Sequence, residues 1–82
     1  MPGYLDADYV IRGPRAIGLA LREFRARIGK TQAEVARGAS LSRSYLSRLE
    51  RGVHTEAMAN ILKTCAELDL EIIVRPRGDG RA

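Results

Sequence analysis

The sequence predicts a mainly α-helical fold that ends in one short β-strand. Apolar residues recur at spacings of three and four in successive segments between residues 14 and 69, which is the helical period. Glycines and hydroxyl-bearing residues lie between these segments, at the positions where helices would end and begin. The pattern then changes to a period of two between Leu70 and Arg75, among β-branched residues, which favours a strand.

The domain organisation follows from these changes of pattern. With 82 residues, the chain has room for one domain at most. We expect an N-terminal extension over residues 1–13, a helical domain over 14–69, a strand over 70–75 and a flexible tail over 76–82. A domain of this size has a thin margin of stability and often gains more by dimerising.

The first two helices have clear boundaries. The first is predicted from Pro14, which suits the first helical position, to Ile28, and Gly29 ends it. Its apolar face contains Ile17, Leu21, Phe24 and Ile28. The second is predicted from Gln32 to Arg37, because Thr31 and Glu34 have the spacing of a capping box.

The third and fourth helices follow a turn over residues 38–41. Ser42 is placed to cap a third helix, predicted from Arg43 to about Arg51, with Leu46 and Leu49 facing the core. Its outward residues are Arg43, Ser44, Ser47, Arg48 and Arg51. Thr55 is expected to cap the fourth helix, whose apolar stripe contains Met58, Ile61, Leu62, Cys65 and Leu68.

Positive charge is concentrated in the first three helices. The chain has a net charge of +4, but residues 15–52 contain nine basic and only three acidic residues. Such a localised charge is typical of a nucleic-acid binder. Arginine, which makes forked contacts with phosphate and guanine, supplies twelve of the 14 basic residues. A GC-rich genome is the alternative explanation for the preference for arginine.

Composition argues against several other classes of protein. Cys65 and His54 are the only cysteine and histidine, so neither a disulfide nor a zinc site is expected. No catalytic constellation is visible, and we expect neither an enzyme, a metal nor a cofactor. Without a long apolar run or a signal-peptide pattern, the expected location is the cytoplasm.

The strand over residues 70–75 needs a partner for its backbone hydrogen bonds. The simplest partner is the same strand of a second copy, paired antiparallel about a two-fold axis, which predicts a homodimer. The alternative is pairing within the chain to a very short strand at Tyr9–Ile11, and both pairings can coexist in one sheet. The dimerising residues are predicted to be Leu70, Ile72, Ile73 and Val74.

Three segments together carry a resemblance to a known family: Leu21–Arg25, Gly29–Ala36 and Ser42–Gly52. In these segments the chain resembles the Xre/Cro-type helix-turn-helix proteins, which implies a four-helix domain that binds operator DNA as a dimer. The helix and strand near the C-terminus are similar to those of HipB-like antitoxins. That narrower resemblance implies a repressor that regulates its own operon and neutralises a HipA-like kinase toxin.

Two other functions remain open at this point. One is a stand-alone Xre-family transcription factor of the phage-repressor type, and the other is a protein-interaction module that does not bind DNA. The chain also departs from the family at two positions. Ser40 occupies the turn position where the family usually has glycine, and Lys30 replaces a common leucine.

The resemblance and the exposed positions together predict the site. Base edges of a palindromic duplex are expected to meet Arg43, Ser44, Ser47 and Arg48, with Arg43 placed to fork to guanine or, alternatively, to bind a phosphate. Phosphates are expected to meet Gln32, Thr31, Tyr45, Arg37 and Arg51. Tyr45 can equally pack under the helix. The family pairs the positions of Arg25 and Glu50 in a structural salt bridge.

Overall fold

A computed structural model describes residues 8–53 and 56–77 as four helices and a two-stranded sheet. The elements in chain order are β1 (Tyr9–Ile11), α1 (Pro14–Arg27), α2 (Gln32–Gly38), α3 (Arg43–Glu50), α4 (Glu56–Glu67) and β2 (Ile72–Val74). The predicted mainly α-helical class is confirmed, and each of the first three helices ends within one residue of its predicted end. Thr55, the predicted cap of α4, and His54 lie outside the described residues.

The predicted starts of the first three helices are confirmed. Pro14 opens α1. In the capping box of α2, Thr31 Oγ1 accepts a hydrogen bond from the Glu34 N–H at 3.0 Å, and Glu34 Oε1 accepts one from the Thr31 N–H at 2.8 Å. Ser42 Oγ accepts the Tyr45 N–H at 3.1 Å. These caps fix the two helices that flank the turn.

All four helices end in the same backbone motif. A residue with positive φ follows each helix, and two backbone N–H groups return to carbonyls of the last turn, which is a Schellman motif. The residues with positive φ are Gly29, Ser40, Gly52 and Asp69. Ser40, at φ 60°, therefore adopts the conformation that the missing glycine would have supplied in the turn between α2 and α3.

Replacing Ser40 by glycine should stabilise the protein by about 0.5–1 kcal/mol. The left-handed conformation costs an L-residue about 1–2 kcal/mol, and the greater backbone freedom of glycine in the unfolded chain offsets about 0.5–1 kcal/mol of the gain. Chemical denaturation checks this expectation. Ala39→Gly is the matched control, since Ala39 has a φ of −94° and the same change there should destabilise. A destabilised Ser40→Gly variant would contradict the expectation.

The sheet pairs β1 with β2 inside one chain. The strands are antiparallel, with Tyr9 opposite Val74, Val10 opposite Ile73 and Ile11 opposite Ile72. Pairing to residues 9–11, one of the two predicted alternatives, is therefore present. The strand is shorter than the predicted 70–75. Leu70 is not part of it, because the Leu70 N–H donates to the Cys65 carbonyl at 2.8 Å in the motif that ends α4.

The core is small and consists of short side chains. Its buried apolar residues are Ile11, Ala20, Ala36 and Leu46. α3 packs on both α1 and α2, and β1 packs on α1. The predicted apolar stripes are only partly buried, since Leu21, Ile28, Ile61 and Leu68 are exposed by 38% to 63%. The prediction that Ile28 belongs to the buried face of the first helix was wrong, because Ile28 is the C-cap residue and lies beyond the last helical residue, Arg27.

Candidate nucleic-acid interface

The turn between α2 and α3 leaves one side of α3 facing solvent. Leu46 and Glu50 on the inner side are buried against α1 and α2. Arg43, Ser44 and Arg48 on the outer side are exposed, and Ser47 is half-buried. A short helix braced from behind, with a polar outer face, has the geometry that fits a DNA major groove.

The four predicted base-contacting residues differ in the contacts that they make within the protein. Arg43 and Ser44 stand at the start of α3, where the Ser44 hydroxyl lies 3.4 Å from that of the capping Ser42. The Arg48 guanidinium lies over the Tyr45 ring, 6.0 Å from its centroid, which is a cation–π arrangement. Arg43 is exposed at the first position of α3.

Gln32 connects the start of α2 to α3. A shallow recess on the surface is lined by Gln32, Arg43, Ser44 and Ser47, so the capped start of α2 and the outer face of α3 share one surface. The amide Nε2 of Gln32 also donates to Glu50 Oε1 at 3.0 Å. This bond within the protein was not expected from the sequence, and it leaves one N–H of the amide for another acceptor.

Glu50 is the buried polar centre behind this surface, with 4% of its area exposed. The Arg25 guanidinium donates from Nε to Glu50 Oε2 at 2.6 Å and from Nη2 to Oε1 at 3.1 Å. Its Nη1 also donates to the Lys30 carbonyl at 2.7 Å, which ties α1 to the chain before α2. The hydrogen bonds from Arg25 lower the pKa of Glu50 against the opposing effect of burial, and the Gln32 bond lowers this pKa further.

The remaining predicted phosphate contacts are distributed around the two helices. Arg51 follows α3 directly and donates from Nη1 to Ser47 Oγ at 2.8 Å. Arg37 is exposed in the last turn of α2, away from the start of that helix. Tyr45, 39% exposed, lies at an apolar groove with Leu21, Leu49 and Val53. The structure therefore groups Gln32, Ser47 and Arg51, but it does not bring Arg37 or Tyr45 to that group.

Gly18 is a structural determinant of the site that sequence reasoning missed. It is buried in α1 where this helix meets the end of α3. A Cβ at this position would press on the Leu49 carbonyl oxygen and lie 2.8 Å from the Gly52 nitrogen and 3.0 Å from the Glu50 carbonyl oxygen. Because glycine in a helix interior is costly, its presence in the middle of the apolar pattern was the available signal.

The chain belongs to a helix-turn-helix domain family. The family model described as "Helix-turn-helix domain" matches residues 16–68, which is well over half of the chain and extends from the third residue of α1 to just past the end of α4. This motif is a DNA-binding architecture in which the second of two packed helices enters the major groove.

Among curated proteins, the chain is similar to the HTH-type transcriptional regulator SlrR of Bacillus subtilis (strain 168). The two are 40% identical over 57 residues, which cover 68% of this chain and 38% of the relative. The chain therefore matches well under half of the relative's length. No solved structure matches the chain.

The described residues contain neither a cluster of metal-ligating side chains nor a helix suited to spanning a membrane. In residues 8–53 and 56–77, no group of three or more histidine, cysteine, aspartate or glutamate side chains is arranged to hold a metal ion. None of the helices in the same ranges has the length and hydropathy needed to cross a bilayer.

Proposed function

We propose that this protein is a sequence-specific, DNA-binding transcriptional repressor that acts as a homodimer in the cytoplasm. The observation that carries the proposal is the outer face of α3, where Arg43, Ser44 and Arg48 project from a helix that α1 and α2 hold in place. The family model, which matches residues 16–68, and the similarity to a transcriptional regulator add support.

Arg43 is proposed as the principal base reader. It is the first residue of α3, between Ser42 and Ser44 in the sequence, at the end of the helix that is proposed to enter the groove first. A guanidinium that forks to guanine O6 and N7 discriminates against the wrong base by about 1–3 kcal/mol. Arg48, lying on the Tyr45 ring, is the second candidate reader. Thr31, Gln32, Arg37, Tyr45 and Arg51 are proposed to hold the phosphates on either side.

Selection of bound duplexes from a random pool tests the base-reading role. The wild-type protein should enrich a roughly palindromic site with half-sites about one helical turn apart and a guanine in each. Arg43→Ala should lose the preference for that guanine while the rest of the enriched site persists. An unchanged site with Arg43→Ala would exclude Arg43 as the reader, and no enrichment by the wild type would favour a protein-interaction module.

The proposed dimer uses the outer edge of β2. Within the two-stranded sheet only one edge of β2 is paired, to β1, and an unpaired strand edge is a template for another strand. Antiparallel pairing of two copies of β2 would build a four-stranded sheet about a two-fold axis. Ile61, Leu68, Leu70 and Ile73 are 47% to 62% exposed in and next to α4 and β2, which supports a partner on this side.

Ile73→Lys should convert the proposed dimer to a monomer. Ile73 lies in the middle of β2 and exposes 47% of its surface, so the change adds a charge at the proposed joint with little cost to the core. Sedimentation equilibrium measures the mass, and Lys63→Ala, at an exposed position on α4, is the control that should remain dimeric. A wild-type protein with the mass of one chain would remove the dimer from the proposal.

The finer proposal is a HipB-like antitoxin, and a stand-alone regulator is the alternative. The terminal strand after the fourth helix supports the antitoxin, because the resemblance to that subgroup rests on this feature. Co-expression with a HipA-like kinase encoded next to this chain tests it. Co-purification and restored growth are expected of an antitoxin, whereas the absence of both would favour the stand-alone regulator.

A further inference from the structure

We propose that a recess between α1 and α3, lined by Arg22, Gln32, Ser47 and Arg51 over the Arg25–Glu50 pair, is a phosphate site that binds one phosphodiester of the DNA backbone. This inference rests on the proposed DNA-binding function and adds a site on α1, outside the two helices of the motif. The recess has a volume of about 190 Å³.

The charges around the recess favour an anion. Three guanidinium groups, Arg22, Arg25 and Arg51, surround one carboxylate, Glu50, so the lining carries two uncompensated positive charges. Of the three guanidinium groups, it is Arg25 that donates two hydrogen bonds to the carboxylate. In the described residues, neither Arg22 nor Arg51 forms a salt bridge with a carboxylate. Their charges are therefore free to attract a phosphate.

Glu50 does not oppose an anion in this recess. Its side chain is 3% exposed, and its two oxygens accept three hydrogen bonds from Arg25 and Gln32. The negative charge of the carboxylate is therefore compensated by Arg25, and it does not repel an anion in the recess. The charge of Arg22 also contributes to lowering the pKa of Glu50, which agrees with its position across the recess from that group.

Arg51 and Arg22 both supply hydrogen-bond donors to the recess. Ser47 Oγ accepts a hydrogen bond from Arg51 Nη1 at 2.8 Å, which leaves the other donors of this guanidinium for a ligand. Arg22, one turn before Arg25 on α1, is exposed. The recess thus has two cations available to a phosphate, one on α1 and one directly after α3.

The recess is continuous with the surface that would read bases. Gln32 and Ser47 line both this recess and the shallow one that contains Arg43 and Ser44. We therefore expect a duplex in contact with Arg43 to bring a backbone phosphate to Arg22 and Arg51. The shared lining favours a backbone phosphodiester over a free phosphate as the occupant.

The dependence of DNA affinity on salt tests this site. On a random-sequence duplex, Arg22→Ala should reduce the slope of log affinity against log salt by about one per bound chain, since one phosphate contact is lost. Lys63→Ala, which removes the same charge at an exposed position on α4, should leave the slope unchanged. Thermal melting checks that both variants keep the fold.

The possible outcomes distinguish a failure of the proposed phosphate site from a failure of the proposed DNA-binding function. If Arg22→Ala has the same salt slope as the wild type, and the wild type binds DNA, the recess is not a phosphate site. The proposed function would then remain intact. Absence of salt-dependent binding by the wild type would overturn the proposed function itself. Saturable binding of inorganic phosphate to the DNA-free protein, with an unchanged slope in Arg22→Ala, would assign the recess to a free anion and overturn the backbone contact.

Discussion

Glu50→Ala should lower the free energy of unfolding by about 3–5 kcal/mol, because it leaves the Arg25 guanidinium without its buried partner. It also removes the acceptor of the Gln32 amide, so the anchor that joins α1, α2 and α3 is lost. In a domain of this size, about 4–8 °C of melting temperature corresponds to 1 kcal/mol. Differential scanning calorimetry should therefore record a drop of at least about 12 °C. An unchanged melting temperature would contradict the role of Glu50 as the anchor of the three helices.

The pH dependence of stability distinguishes the charge of Glu50 from its shape. The folded-state pKa of Glu50 is lowered, so its stabilising effect is complete above the unfolded-state pKa of about 4.3 and is lost as the pH falls through the folded-state value. Glu50→Gln keeps the shape and cannot ionise. The difference in melting temperature between the wild type and Glu50→Gln should be largest near neutral pH and shrink on acidification. A constant difference down to about pH 3 would contradict the charge as the cause.

Gly18→Ala should destabilise the protein by about 3 kcal/mol, at the upper end of overpacking costs. The added methyl group meets three backbone atoms at the end of α3, which cannot move aside as a flexible side chain can. To relieve the clash, α3 must shift away from α1, and this shift changes the position of the helix that presents Arg43. We therefore expect a lower midpoint in denaturant and weaker DNA binding by the fraction that remains folded.

Gly38→Ala is the control for Gly18→Ala. Gly38 is the last residue of α2, and a Cβ there meets no atom within 4 Å. Since alanine favours the helix by about 1 kcal/mol over glycine, this variant should be as stable as the wild type or more stable. Equal effects at the two positions would rule out the close approach of α1 and α3 as the reason for Gly18.

Local signals allowed most of the helical architecture to be predicted. The Thr31–Glu34 capping box and the Ser42 cap depend on residues three apart, so they are visible in a single segment of sequence. The glycines at positions 29 and 52 likewise marked helix ends, since their positive φ suits that residue. Short-range chemistry of this kind needs no knowledge of the tertiary structure.

Contacts between distant segments were much harder to predict. The Gln32 bond to Glu50 spans 18 residues, and the contact of Gly18 with the end of α3 spans more than 30. The pairing of β1 with β2 was only one of two alternatives, because a short strand satisfies its backbone equally well within or between chains. Ser40 was also uncertain, since only the fold shows that it takes a left-handed conformation.

Fluorescence anisotropy with labelled DNA from upstream of the gene, over a salt series, tests the central claim of operator binding most directly. The wild-type protein should bind tightly, with an affinity that falls by about 10³–10⁵ between 50 and 200 mM salt if a dimer makes six to ten phosphate contacts. The variant with both Arg43→Ala and Arg48→Ala should lose about 100-fold or more in affinity. The charge-matched variant with Arg12→Ala and Lys63→Ala, at two exposed positions, should bind like the wild type. The absence of wild-type binding at low salt, to this DNA and to a random pool, would contradict the claim.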